Sequence, residues 1–441
     1  MQSSVSRTFD DIAVGDHAEL ARTLRPADLT LFERLAGDPR SLWTTSLIAS
    51  AADELVPGLR VIEQSLQFCT AVGVGDRLTA RIFVLAKSIG DRSLVLRCTC
   101  TNQVGQSVAE GELRCVAPAH AAPAENLAPA AVEAHAAGLY YRQLIHAASA
   151  FTPIATAVVH PCDELSLTAA LEAARERLIQ PVLVGPLAKI RRTAEAAGCA
   201  LDGIELVDAP HSHAAAAQAV ALARAGKVEA LMKGALHTDE LMDAVVDGAS
   251  GLRTERRMSH VFALDVPTYP KPLFITDAAI NIAPTLTDKR DIVQNAIDLA
   301  HALGIALPNV AIVSAVETVN PKIPSTIDAA ALCKMLDRGQ ITGARVDGPL
   351  AFDNAVSRLA AQSKSITSAV AGHADILVVP DLESGNMLVK QLVYLSSALA
   401  AGIVLGARVP IMLTSRADGM PSRLASAALA LLFSHRHQTA P

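Results

Sequence analysis

Two rhythms of apolar residues run along the chain, and one gives way to the other near residue 117. Before that point apolar and polar residues alternate. Leu96, Cys98 and Cys100 share one face of an extended segment, and Arg97, Thr99 and Thr101 take the other. A period of two is that of a half-buried antiparallel strand. Similar runs predict strands near 61–68, 78–86, 94–101 and 108–116, with Gly90-Asp91 and Gly105 marking hairpins. A short helix and then a second one should precede them: Pro26 suits a first helical position, Leu29, Phe32 and Leu35 recur at helical spacing, and Gly37 can close the helix.

Beyond residue 137 the apolar runs become continuous. They fall near 155–159, 181–184, 230–232, 273–275, 310–313, 376–379 and 410–413, with helical stretches between them. Strands of that kind are buried on both faces, which predicts a mostly parallel sheet covered by helices. The intervening segment is rich in Ala and Pro, with Pro123 and Pro129 interrupting any helix, and reads as a semi-stiff linker. The expected organisation is an α+β front domain over 1–118, a linker over 119–145 and an α/β region over 146–437, with a frayed tail from His435. The run from Leu392 to Leu413 has the length of a membrane span, but Gly402, Gly406, Arg408 and Pro410 divide it into a helix end, a turn and a buried strand.

Composition narrows the chemistry. With 51% hydrophobic residues but only 3% aromatics among 441, the core is built from Ala, Leu and Val. A net charge of -6 gives no footprint for nucleic acid or an anionic membrane, so neither is an expected partner. The first residues lack a basic stretch followed by an apolar one, and the seven cysteines have no framework spacing; a cytoplasmic protein with reduced thiols is expected. Walker A, Gly-x-Gly-x-x-Gly, His-Glu-x-x-His and Gly-x-Ser-x-Gly patterns are all absent, which disfavours nucleotide hydrolysis, a dinucleotide fingerprint, a zincin and a serine-hydrolase elbow. No metal site is expected.

In a parallel sheet, ligands gather beyond the carboxyl ends of the strands. The residues there are polar: His160, Cys162 and Asp163; Lys233 and His237; Asp277 and Asn281; Glu317 and Asn320; Asp381, Glu383 and Asn386; Ser415, Arg416 and Asp418. Each alone reads equally well as a helix cap. Together they are expected to line one rim, with helix starts at Thr238 and Ser325 as phosphate cradles.

The ordered motifs Leu231-Met-Lys-Gly-Ala-Leu-His-Thr-Asp239, Gly251-Leu-Arg-Thr-Glu255, Ile275-Thr-Asp-Ala-Ala-Ile-Asn281, Asp347-Gly-Pro-Leu-Ala-Phe-Asp-Asn354, Val379-Pro-Asp-Leu-Glu-Ser-Gly-Asn386 and Leu413-Thr-Ser-Arg-Ala-Asp418 resemble the phosphate acetyl/butyryltransferase family. The resemblance implies two α/β subdomains with a cleft between them, related to the isocitrate and isopropylmalate dehydrogenase fold, and a homodimer or higher homo-oligomer. It implies reversible transfer of acetyl or another short acyl group between CoA and phosphate, with butyryl transfer as the alternative. CoA, acyl-CoA, phosphate and acyl phosphate are then substrates, with no bound cofactor and no metal. By the same match Ser415 is the hydroxyl donor and Arg416 the anion clamp; of the other polar residues, Lys233, His237, Arg253, Asp277, Asn281, Asp381, Glu383 and Asn386 are those expected to bind CoA or phosphate. The family's general-base Asp, seven residues after the serine, is Ser422 here, which leaves Asp418 as the substitute; its Arg in the helix after Lys233-Gly234 is Asp243, with Arg253, Arg256 or Arg257 to make up the charge.

The front domain resembles MaoC-like, R-specific enoyl-CoA hydratases of hot-dog fold. Phe32-Glu-Arg-Leu-Ala-Gly-Asp38 matches the start of their motif, but the His expected five residues after Asp38 is Trp43, the stretch from Pro39 through Leu55 looks shortened, and no His occurs between His17 and His120. Hydration needs an acid/base pair, so a hydratase-inactive module kept for packing, dimerisation or acyl-CoA binding is expected. Two other readings of the whole chain remain: a metal- and NAD-dependent decarboxylating dehydrogenase, for which no aspartate cluster can be assembled, and a non-catalytic CoA-binding scaffold.

Overall fold

A computed structural model describes residues 9–24, 28, 38–56, 58–118, 138–414 and 418–439. The helix expected around Pro26, Leu29, Phe32, Leu35 and Gly37 and the linker prolines Pro123 and Pro129 lie outside them. The chain forms two compact units, Met1–Val132 and Glu133–Pro441.

In the first unit, strands β1 (His17–Thr23), β2 (Arg60–Phe68), β3 (Arg77–Ser88), β4 (Ser93–Thr101) and β5 (Ser107–Val116) form one antiparallel sheet in the order β1-β3-β4-β5-β2. Four of these are the expected strands. β1 carries no fully buried residue, so its sequence gives no alternation to read. The stretch that looked shortened is a continuous helix, α1 (Pro39–Asp53), which starts with a proline in the first turn and is capped by Asp38. Trp43, Leu47, Ile48, Ala51 and Ala52 form its apolar stripe and pack with Leu78, Ile82, Leu94, Leu96, Cys98 and Cys100 in one core.

The second unit contains helices α2 (Leu139–Ala148), α3 (Glu164–Arg175), α4 (Leu187–Ala196), α5 (Ser212–Arg224), α6 (Thr238–Val246), α7 (Leu286–Ala302), α8 (Pro324–Asp337), α9 (Phe352–Val356), α10 (Arg358–Ser363), α11 (Leu382–Leu395) and α12 (Met420–Thr439). Its strands are β6 (Ile154–Val159), β7 (Ile179–Gly185), β8 (Glu205–Asp208), β9 (Ala230–Lys233), β10 (Ser259–Asp265), β11 (Leu273–Thr276), β12 (Asn309–Val313), β13 (Arg345–Leu350), β14 (Ile376–Val378), β15 (Leu399–Leu405) and β16 (Ile411–Met412). They make one sheet in the order β13-β12-β14-β11-β10-β15-β16-β9-β6-β7-β8.

The sheet is mostly parallel, as expected, but three antiparallel joints interrupt it: β11 with β10, β10 with β15, and β15 with β16. An odd number of reversals turns one parallel block against the other. The carboxyl ends of β6 to β9 and β16 therefore point to one edge of the sheet, and those of β11 to β14 to the opposite edge. This corrects the expectation of a single rim.

Strand alternation gives the two faces different cover. Val158, Met232, Val261, Phe274, Ile376 and Met412 face one continuous core under α2, α3, α7, α8 and α12. On the other face Ala157, Leu231, Val404 and Ile411 join α5 and α6, whereas Leu264, Ile275 and Leu377 join α9, α10 and α11. A seam between these two cores runs along β10 and β15.

Three expectations are corrected here. α2 occupies the end of the presumed linker, because Tyr141 and Ala148 bury against the second unit. The run from Leu392 to Leu413 holds a second buried strand, β15, with Gly402 inside it, beyond the one strand expected there. The tail is helical to Thr439, with His435 Nε2 meeting the Thr152 carbonyl at 2.8 Å. Among the described residues no helix is long and apolar enough to cross a membrane.

Candidate active site

The site is built where β9 and β16 end side by side. Met412 lies opposite Met232 in parallel register, so Lys233 and Leu413 are neighbours. By alternation both share the face of Leu231 and Ile411, the one that carries the seam. Lys233 is buried, at 4% exposure. Gly234 lets the chain leave β9 directly against β6: a Cβ there would stand 2.7 Å from the His160 carbonyl oxygen. The Gly234 and Ala235 N–H groups donate to Val159 and His160 carbonyls, each at 2.9 Å. His160 itself turns out of β6 with φ 55°, and its Nδ1 lies 2.9 Å from the Ala235 carbonyl.

Behind this edge, Asp163 caps α3 by accepting the Ser166 N–H at 2.7 Å. Arg423, on the first turn of α12, is buried and donates from Nε to the Asp418 carbonyl at 3.2 Å. Burial lowers the affinity of its guanidinium for the proton, and the carboxylates of Asp163 and Asp418 oppose that. The sequence reading missed Arg423. Its signal was available: it is the one Arg among the small and apolar residues that open α12. Ser422, at the position of the family's Asp, is buried beside it, and its carbonyl accepts from the Ser426 hydroxyl. Ser415 and Arg416 lie outside the described residues, between Thr414 and Asp418.

His237 is exposed at the N-cap of α6, where its backbone N–H donates to the Glu240 carboxylate at 3.4 Å. Thr238 is thus the first helical residue, one place after the cap. The other cradle residue, Ser325, pairs its hydroxyl with Ser314 at 2.8 Å. Arg253 is exposed and bridges to Ala407 in the turn that enters β16, so it sits at the end of the strands opposite Lys233.

Two of the sequence motifs form a second knot at the end of β11. Asp277, 2% exposed, accepts N–H groups of Ala279 (2.9 Å), Ile280 (3.1 Å) and Asn281 (3.2 Å), and the Asn281 side-chain amide at 2.6 Å. Asn281 also donates to the Met258 carbonyl and accepts from Arg257 Nε at 2.7 Å. The N-terminus of α11 docks on this loop: Asn386 donates to the Ala278 carbonyl, and a Cβ on Gly385 would approach Ala278 Cβ to 2.8 Å. Asp381 caps α11 through the Ser384 N–H, and Glu383 is exposed. The structure thus gathers Asp277, Asn281, Asp381 and Asn386 together, with polar groups already used on one another and on the backbone.

His260 links the knot to the tip of β16, a connection with no counterpart in the sequence reading. It is buried in the seam, its Nε2 is 3.4 Å from the Leu413 carbonyl, and Thr276 Oγ1 donates to its backbone carbonyl at 2.8 Å. Among the described residues no group of three or more His, Cys, Asp or Glu is arranged to hold a metal ion.

Where β9 and β16 end side by side, the described residues thus gather a buried lysine, Lys233, and a buried arginine, Arg423, on which the Asp163 and Asp418 carboxylates act. The sequence profile described as phosphate acetyl/butaryl transferase matches residues 211–431. The phosphate acetyltransferase of Rhizobium meliloti is 63% identical over 300 residues, covering 68% of this chain and 95% of that protein. The phosphate butyryltransferase of Clostridium acetobutylicum is 43% identical over 270 residues, covering 61% and 90%. The crystal structure of a branched-chain phosphotransacylase from Enterococcus faecalis V583 matches with a TM-score of 0.57 at 31% identity, over 64% of this chain and 99% of that one. The chain belongs to the phosphate acetyl/butyryl transferase family, and it is an acyltransferase.

Proposed function

We propose that the second unit transfers an acetyl group, or another short acyl group, reversibly between CoA and inorganic phosphate at the tip of β16. The observation that carries this is the end of β16, where Leu413 neighbours buried Lys233 and from which the sequence runs on to Asp418 and buried Arg423. In the direction of acyl phosphate formation, a phosphate oxygen attacks the thioester carbonyl, a C–O bond forms, the C–S bond breaks and CoA leaves as a thiolate that then takes a proton. Arg416 holds the phosphate with permanent charge and a bidentate fork, and the Ser415 hydroxyl donates to the charge that develops on the thioester. In the reverse direction the CoA thiol, with a pKa of about 8.5 in water, must lose its proton, and Asp418 is the nearest carboxylate in sequence able to receive it.

Acetyl is favoured over butyryl by the 63% against 43% identity. The substrates are CoA, phosphate and their acyl derivatives, with no bound cofactor, and the protein acts in the cytoplasm as a homodimer. The test is release of CoA from acetyl-, propionyl- and butyryl-CoA by the full chain with phosphate or arsenate. Release that needs either anion and is fastest with acetyl-CoA supports the proposal. No release above background would favour the CoA-binding scaffold.

The first unit we read as a hot-dog module without hydratase activity. The Asp38 carboxylate is occupied as the cap of α1, accepting from Arg40 N–H, Ser41 N–H and the Ser41 hydroxyl. The hydroxyl bond chiefly lowers its pKa, the wrong direction for a general acid. Trp43, at the position of the missing His, is in the core. Crotonyl-CoA hydration by the full chain would overturn this reading.

A further inference from the structure

We infer that His260 is a positioning residue for the loop that follows β16, acting through the Leu413 carbonyl. The inference rests on the reading that Ser415 and Arg416 are the reacting loop. β16 is only two residues long, so few ladder bonds fix its tip. The Leu413 N–H is held by the Gly402 carbonyl at 3.3 Å, and the Leu413 carbonyl, two residues before Ser415, meets His260 Nε2. The imidazole is in turn locked. It is 1% exposed and lies with its ring centroid 4.2 Å from that of Phe262. It occupies room that exists only because residue 402 is glycine, since a Cβ there would come within 2.6 Å of Nε2.

The chemistry of the ring fits a donor and not a proton carrier. Nε2 must bear the proton to donate to a carbonyl, and Nδ1 has no hydrogen-bond partner among the described residues. Burial disfavours the charged ring, and the nearby Asp277 carboxylate opposes this less strongly. A neutral imidazole with hydrogen on Nε2 results. Because Thr276 holds the His260 carbonyl, the same residue ties the Asp277–Asn281 knot to the strand that delivers the reacting loop. A shift of that carbonyl would be passed to the hydroxyl and guanidinium that follow it, where small misplacements are costly.

The test replaces His260 by Gln, which keeps an N–H donor of suitable reach, by Asn, whose donor is too short, and by Phe, which has none. Each folded variant is assayed in both substrates, with Arg416→Ala in parallel. The Asn and Phe variants should lose roughly ten- to hundredfold in kcat and show a raised KM for phosphate, with Gln restoring much of both. Nitrogen-15 histidine spectra of the wild-type chain should show one neutral ring protonated on Nε2 that disappears in all three variants. Wild-type kcat and phosphate KM in folded Asn or Phe variants, or a Gln variant no better than Asn, would overturn the inference. If only His260 changes are silent while Arg416→Ala raises the phosphate KM, this inference alone fails. If Arg416→Ala is silent too, the reading of the loop fails with it.

Discussion

Arg416 and Ser415 bear the sharpest residue-level expectations, because their roles differ. Removing the guanidinium takes away charge that holds phosphate before and during reaction, so Arg416→Ala should raise the phosphate KM sharply. Removing the hydroxyl takes away a bond that matters most as charge develops, so Ser415→Ala should lower kcat by roughly 10²-fold with little change in KM. Steady-state kinetics in both substrates separate the two. The thiols give an independent check on the first unit. Burial raises the pKa of Cys98 to about 12 and of Cys100 and Cys115 to about 11, from an ordinary 9.0. Between those values the unfolded chain has given up protons that the folded chain keeps, so stability is full below pH 9 and falls as pH rises towards 11. Denaturant titrations of the full chain at increasing pH should show the first unit's midpoint falling. A thiol reagent should modify exposed Cys69 in the native state but reach these three only on unfolding. The sequence assigned the three as reduced thiols, with Cys98 and Cys100 on one buried face. It did not reveal His260, because nothing local distinguishes a histidine that faces a seam from one in any strand.

At the scale of elements, continuous apolar runs and clean alternation were legible, and strands lacking either were not. β10 begins with Ser259 and His260, and β15 is rich in Ala and Gly; both were passed over, yet both cross the middle of the sheet. Their burial comes from tertiary neighbours that a local window does not contain. α1 was hidden for another reason: Asp38 looked like a remnant of a catalytic motif, when its local chemistry is that of a helix cap. Two substitutions test the packing. Gly234→Ala sets a methyl against two carbonyl oxygens and should cost on the order of 1–3 kcal/mol with a matching loss of activity. Trp43→Ala empties the centre of the α1 core and should cost about 3–5 kcal/mol in the first unit's unfolding while leaving acyl transfer unchanged. Calorimetry and activity measured on the same samples distinguish the two outcomes.

For the whole molecule, the division at the linker and the α/β character of the second unit could be read from the sequence, and the direction of its strands could not. β6, β7, β9, β11, β12, β14 and β16 were recognised as buried strands, but three antiparallel joints set by long-range pairing turn one block against the other. Arg253, at the entry to β16, sits at the strand end opposite Lys233, and the Asp277 knot reaches β16 through β10. The account as a whole depends on an oxyanion being held at the tip of β16 while a thioester forms or breaks. The most direct test is a crystal structure of the full chain with CoA and phosphate bound. Phosphate on the Arg416 guanidinium, with the CoA sulfur beside Ser415, is the predicted result. Both ligands settled away from β16, with its tip open to solvent, would contradict it.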